Sequence, residues 1–173
     1  MRRQVYRGRV VDLGIEHVTL PNGVETDLEV LRHAGASAVA AVDEQRRVVL
    51  IRQYRHAGGG YLWEIPAGML SPGEAPEACA QRELAEEVGL RAGRLVALGT
   101  MLPTPGYSDE CIHLFLARDL EPATMAHEED EVIEQIERVP LDEALAMVRA
   151  GAIVDAKTAL GLYRAADALG GVA

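Results

Sequence analysis

The stretch that decides the fold runs from Gly68 to Leu90 and reads GMLSPGEAPEACAQRELAEEVGL. Its first part is a loop punctuated by proline and glycine, and residues 76–88 then have the composition of a helix. Pro76 suits a first helical position, because its missing N–H is not needed there, and Gly89 suits the left-handed cap that ends a helix. The sequence therefore predicts a glycine-rich loop that leads directly into a helix.

Three acidic side chains share one face of this predicted helix. Glu83 and Glu87 are four positions apart and Glu86 lies beside them. Like charges at this spacing cost a helix about 0.2–0.5 kcal/mol per pair. One interpretation is a solvated acidic face in which Arg82 pairs with Glu86. The other is a site for a hard divalent cation, because such ions bind carboxylate oxygens, waters and substrate phosphates.

Composition and charge limit the class of protein. About half of the 173 residues are apolar, and the formal net charge is −10. This charge argues against non-specific binding to nucleic acid, which depends on basic side chains. A phosphate-bearing substrate would need a cation between itself and the carboxylates. No apolar run is long enough to span a membrane and no signal peptide is recognisable, so we expect a cytoplasmic protein with no membrane partner.

The rest of the chain predicts a mixed α/β domain with an N-terminal β segment. Strand-like runs occur at 38–42, 48–51, 62–65, 95–102, 112–117 and 132–139, and two amphipathic helices close the chain, the second capped by Asp155. Before them, residues 5–13, 15–20 and 24–31 favour strands, with a turn at 21–23. This segment is too small to fold alone, so it must pack on the remainder or on a second subunit.

The stretch from Gly68 resembles the Nudix box, whose pattern is G-x5-E-x7-R-E-U-x-E-E-x-G-U with U an apolar residue. All positions match, and chance would produce the fixed residues on the order of once in 10^8 positions. The matching residues are Gly68, Glu74, Arg82, Glu83, Leu84, Glu86, Glu87, Gly89 and Leu90. The resemblance extends over nearly the whole chain. It implies an α/β fold of the α+β type, a Nudix αβα sandwich with a mixed central sheet over 35–173, preceded by a small antiparallel sheet over 1–34.

The resemblance also implies a reaction and roles for the residues of the box. The reaction is cleavage of the pyrophosphate in a nucleoside diphosphate linked to another group, with Mg²⁺ or Mn²⁺. Glu83, Glu87 and the backbone carbonyl of Ala67 would bind metal, and Glu86 would add a ligand or an outer contact that supports catalysis. The structural residues of the box would be Gly68, Glu74, Arg82 and Gly89.

Features outside the box resemble the ADP-ribose pyrophosphatase branch, which hydrolyses nucleoside diphosphate sugars. In that branch the arginine that matches Arg55 contacts the substrate phosphate, and the glutamate that matches Glu64 helps to hold the nucleotide. Pro105 lies 15 residues beyond Leu90, which is the spacing of ADP-ribose hydrolases. The loop around Pro105 would contribute Gly106 and Glu110 to substrate binding.

An acidic run at 127–131 supplies the candidates for the catalytic base. Taken alone it is more often a solvated charge run. In the branch that this chain resembles, a loop at this place carries the catalytic glutamate. The resemblance then implies Glu129 as the base and Glu131 as a further catalytic and metal-binding residue, and an exchange of these two roles stays open.

The N-terminal strands resemble those that build a swapped homodimer in this branch. Tyr6 would then stack on a base, or it is simply an aromatic residue of a strand. The substrate that the resemblance implies first is ADP-ribose, and the alternatives are GDP-mannose, NADH and FAD. A non-catalytic sensor of nucleotide sugars is the alternative from a different class of protein.

Overall fold

The computed structural model of the chain describes residues 1–126 and 131–170. These residues form ten strands and three α-helices. The strands are β1 (Arg2–Arg7), β2 (Asp12–Thr19), β3 (Glu25–Arg32), β4 (Ala36–Ala41), β5 (Arg47–Arg55), β6 (Gly60–Glu64), β7 (Ala67–Met69), β8 (Leu90–Met101), β9 (Ile112–Pro122) and β10 (Ile133–Pro140). The helices are α1 (Pro76–Val88), α2 (Leu141–Arg149) and α3 (Ala156–Ala168).

The strands form three sheets in the part of the chain that is described. The first contains β1, β2 and β3 in an antiparallel meander. The second has the order β7-β4-β9-β8, and its central pair, β4 and β9, is parallel while its other pairs are antiparallel. The third has the order β10-β5-β6 and is antiparallel. The predicted combination of a small N-terminal sheet with a mixed α+β domain is therefore confirmed.

Strand β4 is buried along its whole length, and its residues alternate between two hydrophobic cores. Ala38 and Ala40 belong to a core with Leu162 of α3. Val39 belongs to a second core with Leu84 of α1. Because successive side chains of a strand point to opposite faces, this division places α1 on one side of β4 and α3 on the other. This is the layering expected of an αβα sandwich.

The predicted ends of the helices agree with the structure. Helix α1 begins at Pro76, and Gly89 ends it in the left-handed conformation with φ of 64°. At the start of α3, Asp155 accepts a hydrogen bond from the backbone N–H of Thr158, at 2.9 Å. Both signals are local, because they depend on the conformational freedom of glycine and on a short acceptor side chain.

The N-terminal sheet differs from the prediction in its first turn. The sequence indicated strands over 5–13 and 15–20, whereas β1 ends at Arg7 and β2 already begins at Asp12. The turn between them is closed by a hydrogen bond from Gly8 N to Val11 O at 2.8 Å. The apolar residues Val10 and Val11 suggested a continuous strand, but they lie in this turn.

The N-terminal sheet is joined to the main domain beside the loop at 103–110. Leu31 N donates to Tyr107 O at 2.7 Å, and Asp109 N donates to Leu31 O at 3.2 Å. Arg32 also pairs with Asp109 at 2.9 Å. No helix among the described residues is long and apolar enough to cross a bilayer.

Candidate functional site

Three carboxylates from two distant segments converge beside β7. Glu83 and Glu87 come from α1, and Glu131 stands just before β10. An oxygen of each lies within 4.8 Å of an oxygen of the other two. Among residues 1–126 and 131–170 this is the cluster whose geometry could hold a metal ion.

Burial sets the protonation of the two helix carboxylates. Glu87 is fully buried, and its Oε2 accepts a hydrogen bond from Ala67 N at 2.9 Å. Burial raises the pKa of Glu87 well above its usual value, and neighbouring Glu83 and Glu131 raise it further. Burial likewise raises the pKa of Glu83 to about 7 despite the contact with Arg82. A cation placed among these oxygens would favour their charged forms.

Gly68 provides the room in which the Glu83 carboxylate lies. A Cβ at this position would overlap the carboxylate, with Glu83 Oε1 as its nearest atom. Since the first residues of β7 run directly under α1, any side chain at position 68 would displace Glu83. The first glycine of the box is therefore explained by a close approach of backbone and carboxylate.

Arg82 joins the loop to the helix. Its Nε and Nη2 atoms each donate to Glu74 at 2.9 Å, and Nη2 also donates to the Met69 carbonyl at 2.9 Å. Its Nη1 contacts Glu83 at 2.5 Å and Glu86 at 3.0 Å. The hydrogen bonds that Glu74 accepts from Arg82, and a further one from Ser71 N, lower the pKa of Glu74 to about 2. Arg82 thus links the loop, through Glu74 and the Met69 carbonyl, to Glu83 and Glu86 of the helix.

Two of these carboxylates, Glu83 and Glu131, line a cavity of about 1330 Å³, and the buried Glu87 lies behind them. Its wall includes Arg55, Glu83, Glu86, Glu110, Glu131 and the turn at residues 7–12. The cavity therefore collects residues from the N-terminal sheet, from β5, from α1 and from the loop that precedes β9. Its size would admit a dinucleotide-sized ligand.

A cluster of mixed charge forms another side of this cavity. Arg55 Nε and Nη2 donate to the two oxygens of Glu64, each at 2.9 Å. Lys157 of α3 reaches Glu64 Oε2 at 2.5 Å and Asp155 at 3.1 Å. Glu64 is only 1% exposed, so it lies behind the two cations rather than in the cavity wall. The sequence analysis did not single out Lys157, although it is the only lysine in the chain.

The other predicted site residues are only partly brought together. Glu110 lines the cavity, with its carboxylate 3.8 Å from His33 Nδ1. Gly106 lies elsewhere, in a surface cleft of about 600 Å³ between β3 and its own loop. Glu129, the predicted base, lies outside the residues that the structure describes. The structure places Glu131 beside Glu83 and Glu87.

The arrangement joins two complementary surfaces within one cavity. One surface holds the clustered carboxylates of Glu83 and Glu131, and the other presents the cationic edge of Arg55. Burial raises the pKa of Glu87, and the positive charge of Arg55 acts in the opposite direction and lowers it. The two sides of the cavity are therefore linked electrostatically. Such a pairing suits a substrate whose phosphates are shared between a divalent ion and a guanidinium group.

Comparisons with known proteins agree with this geometry. A model of the NUDIX domain matches residues 31–159. The ADP-ribose pyrophosphatase of Bacillus subtilis (strain 168) is 40% identical over 163 residues, which cover 93% of this chain and 88% of that protein. The GDP-mannose pyrophosphatase of Cronobacter sakazakii is 40% identical over 152 residues, covering 78% of each chain.

A solved structure extends the comparison to three dimensions. The crystal structure of an ADP compounds hydrolase superposes with a TM-score of 0.84 at 26% identity, covering 98% of this chain and 92% of the other. Family model, relatives and fold agree with the box that the sequence carries. The chain belongs to the Nudix family of hydrolases.

Proposed function

We propose that this enzyme hydrolyses the pyrophosphate of nucleoside diphosphate sugars, with ADP-ribose as its preferred substrate and AMP and ribose phosphate as products. The observation that carries this proposal is the cluster of Glu83, Glu87 and Glu131, of which Glu83 and Glu131 line one cavity together with Arg55. Relatives that are named for ADP-ribose and for GDP-mannose hydrolysis support the substrate class.

We propose Mg²⁺ or Mn²⁺ as the cofactor, since the donor set fits a hard divalent ion. Glu83, Glu87 and Glu131 offer carboxylate oxygens within 4.8 Å of one another, and the Ala67 carbonyl would complete the set. Gly68 leaves the space that this arrangement needs. A divalent ion bound here would neutralise the diphosphate and lower the pKa of the attacking water.

The side chains around the cluster take distinct proposed roles. Arg55 binds a phosphate of the substrate with its cavity-facing edge. Glu131 acts as a metal ligand, and Glu129 then remains the proposed base that accepts a proton from water. Glu86, whose side chain is one-third exposed and paired with Arg82, supports the cluster from its outer side. Glu110 and Gly106 are proposed to contact the nucleoside or the sugar.

We also propose that residues 1–34 mediate a homodimer, with 35–173 as the hydrolase domain. Several apolar side chains of the N-terminal sheet and its turns are at least 41% exposed in the single chain, namely Val5, Tyr6, Val10, Val11, Val24 and Leu28. An exposed apolar surface of this kind is typical of an interface. The free thiols of Cys79 and Cys111 are compatible with the proposed location in the cytoplasm.

The rates at which the enzyme hydrolyses four compounds distinguish ADP-ribose hydrolysis from the alternative functions. ADP-ribose, GDP-mannose, NADH and 8-oxo-dGTP are incubated with enzyme and Mg²⁺, and phosphate is measured after phosphatase treatment. We expect the highest kcat/KM on ADP-ribose. Activity confined to the oxidised triphosphate would contradict the substrate class, and binding of ADP-ribose without cleavage of any compound would indicate a sensor.

The first prediction concerns the buried ligand. Glu87→Gln preserves the shape of the side chain and an oxygen for the Ala67 N–H, but it removes the charge that binds metal. We expect kcat on ADP-ribose to fall by roughly 10^3-fold while the thermal unfolding midpoint is retained. Glu77→Gln, an exposed position on the same helix, is the control and should keep near-normal activity. Near-normal turnover of the Glu87 variant at saturating Mg²⁺ would refute the ligand assignment.

The second prediction concerns the space at Gly68. Gly68→Ala places a Cβ on the Glu83 carboxylate, which must move out of the cluster. We expect Mn²⁺ affinity, measured by electron paramagnetic resonance, to fall by about ten-fold or more. Gly106→Ala is the matched control for metal binding, because a Cβ there meets no atom within 4 Å. Equal Mn²⁺ affinities in both variants would contradict the role given to Gly68.

The third prediction concerns pH. Burial raises the pKa of Glu83 to about 7 in the folded metal-free protein, above the ordinary value of 4.5. The proton therefore stabilises the apo fold below pH 4.5, and this stability is lost as the pH rises through 7. Because metal must displace the proton, Mg²⁺ affinity should weaken by up to about ten-fold per pH unit below pH 7 for each proton released.

The thermal unfolding midpoint measures this linkage. Saturation with Mg²⁺ should raise the midpoint by more at about pH 8 than at about pH 6. In Glu83→Gln the pH dependence of the Mg²⁺ effect should shrink, since one titrating ligand is gone. An Mg²⁺ effect that is equal at both pH values in the unmodified protein would contradict the prediction.

The fourth prediction concerns assembly. Light scattering after size-exclusion chromatography should give twice the mass of one chain. Val5→Lys, in the exposed part of β1, should shift the protein toward the monomer, because it places a charge in an apolar interface. Val154→Lys is the control, as Val154 is 66% exposed and lies outside the N-terminal sheet. A monomeric unmodified protein would refute the dimer.

A further inference from the structure

Glu64 accepts more hydrogen bonds than the carboxylate of an ordinary ion pair. Glu64 Oε1 accepts from Arg55 Nε, and Oε2 accepts from both Arg55 Nη2 and Lys157 Nζ. The Glu64 side chain is 2% exposed and that of Lys157 is 13% exposed, whereas that of Arg55 is 40% exposed. Of the two cations that hold Glu64, Arg55 is therefore the more open to the cavity.

The contacts of Arg55 fix the direction in which it can bind a ligand. Glu64 takes one edge of the guanidinium group, formed by Nε and Nη2. Within residues 1–126 and 131–170 the hydrogen bonds of Arg55 leave the opposite edge, with Nη1 and the second N–H of Nη2, open to an anion, and a planar guanidinium suits a phosphate there. The orientation of Arg55 consequently depends on where Glu64 is held.

The first turn of α3 holds Glu64 and the backbone beside it. Lys157 bridges Glu64 to Asp155, at 2.5 and 3.1 Å. Asp155 Oδ2 also accepts from Thr158 Oγ1 at 2.6 Å, and this hydroxyl accepts in turn from Ile65 N at 2.9 Å. Side chain and main chain at the end of β6 are thus fastened to the same helical turn.

The positive charge of Lys157 matters because Glu64 is buried. Burial alone would raise the pKa of Glu64, but the hydrogen bonds from Arg55 and the charges of Lys157 and Arg55 outweigh it and lower this pKa. Without Lys157, Arg55 would be the only cation in contact with a buried carboxylate. It would then be drawn toward Glu64 and would be less available to a ligand.

A lysine meets the geometry of this position. Its ammonium group is compact and has three rotatable donors, so it can serve Glu64 and Asp155 in different directions. A guanidinium group is planar and larger, and the site is mostly closed. Lys157 is the only lysine among the 17 lysines and arginines of the chain, which otherwise uses arginine at its basic positions.

We propose that Lys157 is a positioning residue for substrate binding: through Glu64 it holds Arg55 with its outer edge toward the substrate phosphate. This inference rests on the proposed function, in which the cavity binds a nucleoside diphosphate sugar. Lys157 itself makes no contact with the substrate in this proposal.

A double-substitution cycle tests the proposal by steady-state kinetics on ADP-ribose at saturating Mg²⁺. Lys157→Met should raise KM by about ten-fold and change kcat by less than about three-fold, because binding rather than chemistry is weakened. In an Arg55→Ala background the same substitution should add less than about two-fold, since Lys157 acts through Arg55. Independent, multiplicative effects of the two substitutions would overturn the proposal and would indicate a direct contact of Lys157 with the substrate.

Arg52→Met is the matched control for loss of an ion pair. Arg52 lies on β5, three positions from Arg55, and pairs with Glu134 at 2.6 Å; its side chain is 38% exposed, like that of Arg55, but it lies outside the cavity wall and its partner is 44% exposed rather than buried. Its KM should stay within about two-fold of the unmodified value. A KM increase in Arg52→Met equal to that of Lys157→Met would show that the effect is not specific to the cluster.

A spectroscopic measurement separates failure of this proposal from failure of the proposed function. Because the chain has a single lysine, protein labelled selectively with ¹³C and ¹⁵N lysine gives one Nζ signal, and this signal needs no assignment to a residue. Inorganic pyrophosphate, added in the presence of EDTA, should shift this signal in the unmodified protein and leave it in place in Arg55→Ala. If pyrophosphate leaves the signal in place in both proteins, or shifts it equally in both, the positioning role of Lys157 is overturned. This conclusion holds whether or not any sugar nucleotide is hydrolysed.

Discussion

The approach of the Glu83 carboxylate to the backbone of Gly68 is the contact on which the rest of the site depends. It lets α1 pack closely on β7, and this packing buries Glu83 and Glu87 together. Two buried carboxylates repel each other and lose hydration, so their pKa values rise. Arg82 compensates only on the outer side, where it also binds Glu74 and Glu86. The inner side is left acidic, and a cation bound there would offset both the lost hydration and the repulsion.

A segment of five residues, 64–68, connects this acidic side to the basic one. Its first member, Glu64, holds Arg55 and Lys157, and its last member, Gly68, accommodates Glu83. Between them, the backbone N–H groups of residues 65 and 67 donate to α3 and to α1. Helices on opposite sides of the sheet are therefore tied to the same short stretch. A displacement of either helix would alter the spacing between the carboxylate cluster and Arg55, so the αβα layering determines the geometry of the candidate site.

The sequence predicted what depends on local signals and on the box. Pro76 and Gly89 bound α1 correctly, and the i, i+4 spacing put Glu83 and Glu87 together. The prediction for the first turn of the N-terminal sheet was wrong. The apolar residues at 10–11 favour a strand in the sequence, whereas the structure has a turn there, closed by the hydrogen bond from Gly8. The role of Lys157 was missed for a different reason. It lies 93 positions from Glu64, and no periodicity or motif connects residues that only the packing of α3 brings together.

The division between chemistry and specificity follows from where these residues lie. The groups that would bind metal and phosphate lie in or next to helices and strands, chiefly within 55–87. The side chain of each makes at least one contact with another residue of the chain, and this contact fixes its position. The groups that could recognise a base or a sugar lie on the turn at 7–12 and on the loop at 103–110, which are irregular segments, where substitutions are tolerated more readily than in strands and helices. Relatives named for two different substrates are each 40% identical to this chain. Overall identity therefore does not separate ADP-ribose from GDP-mannose, and a preference between them would depend on local differences such as those in these two segments.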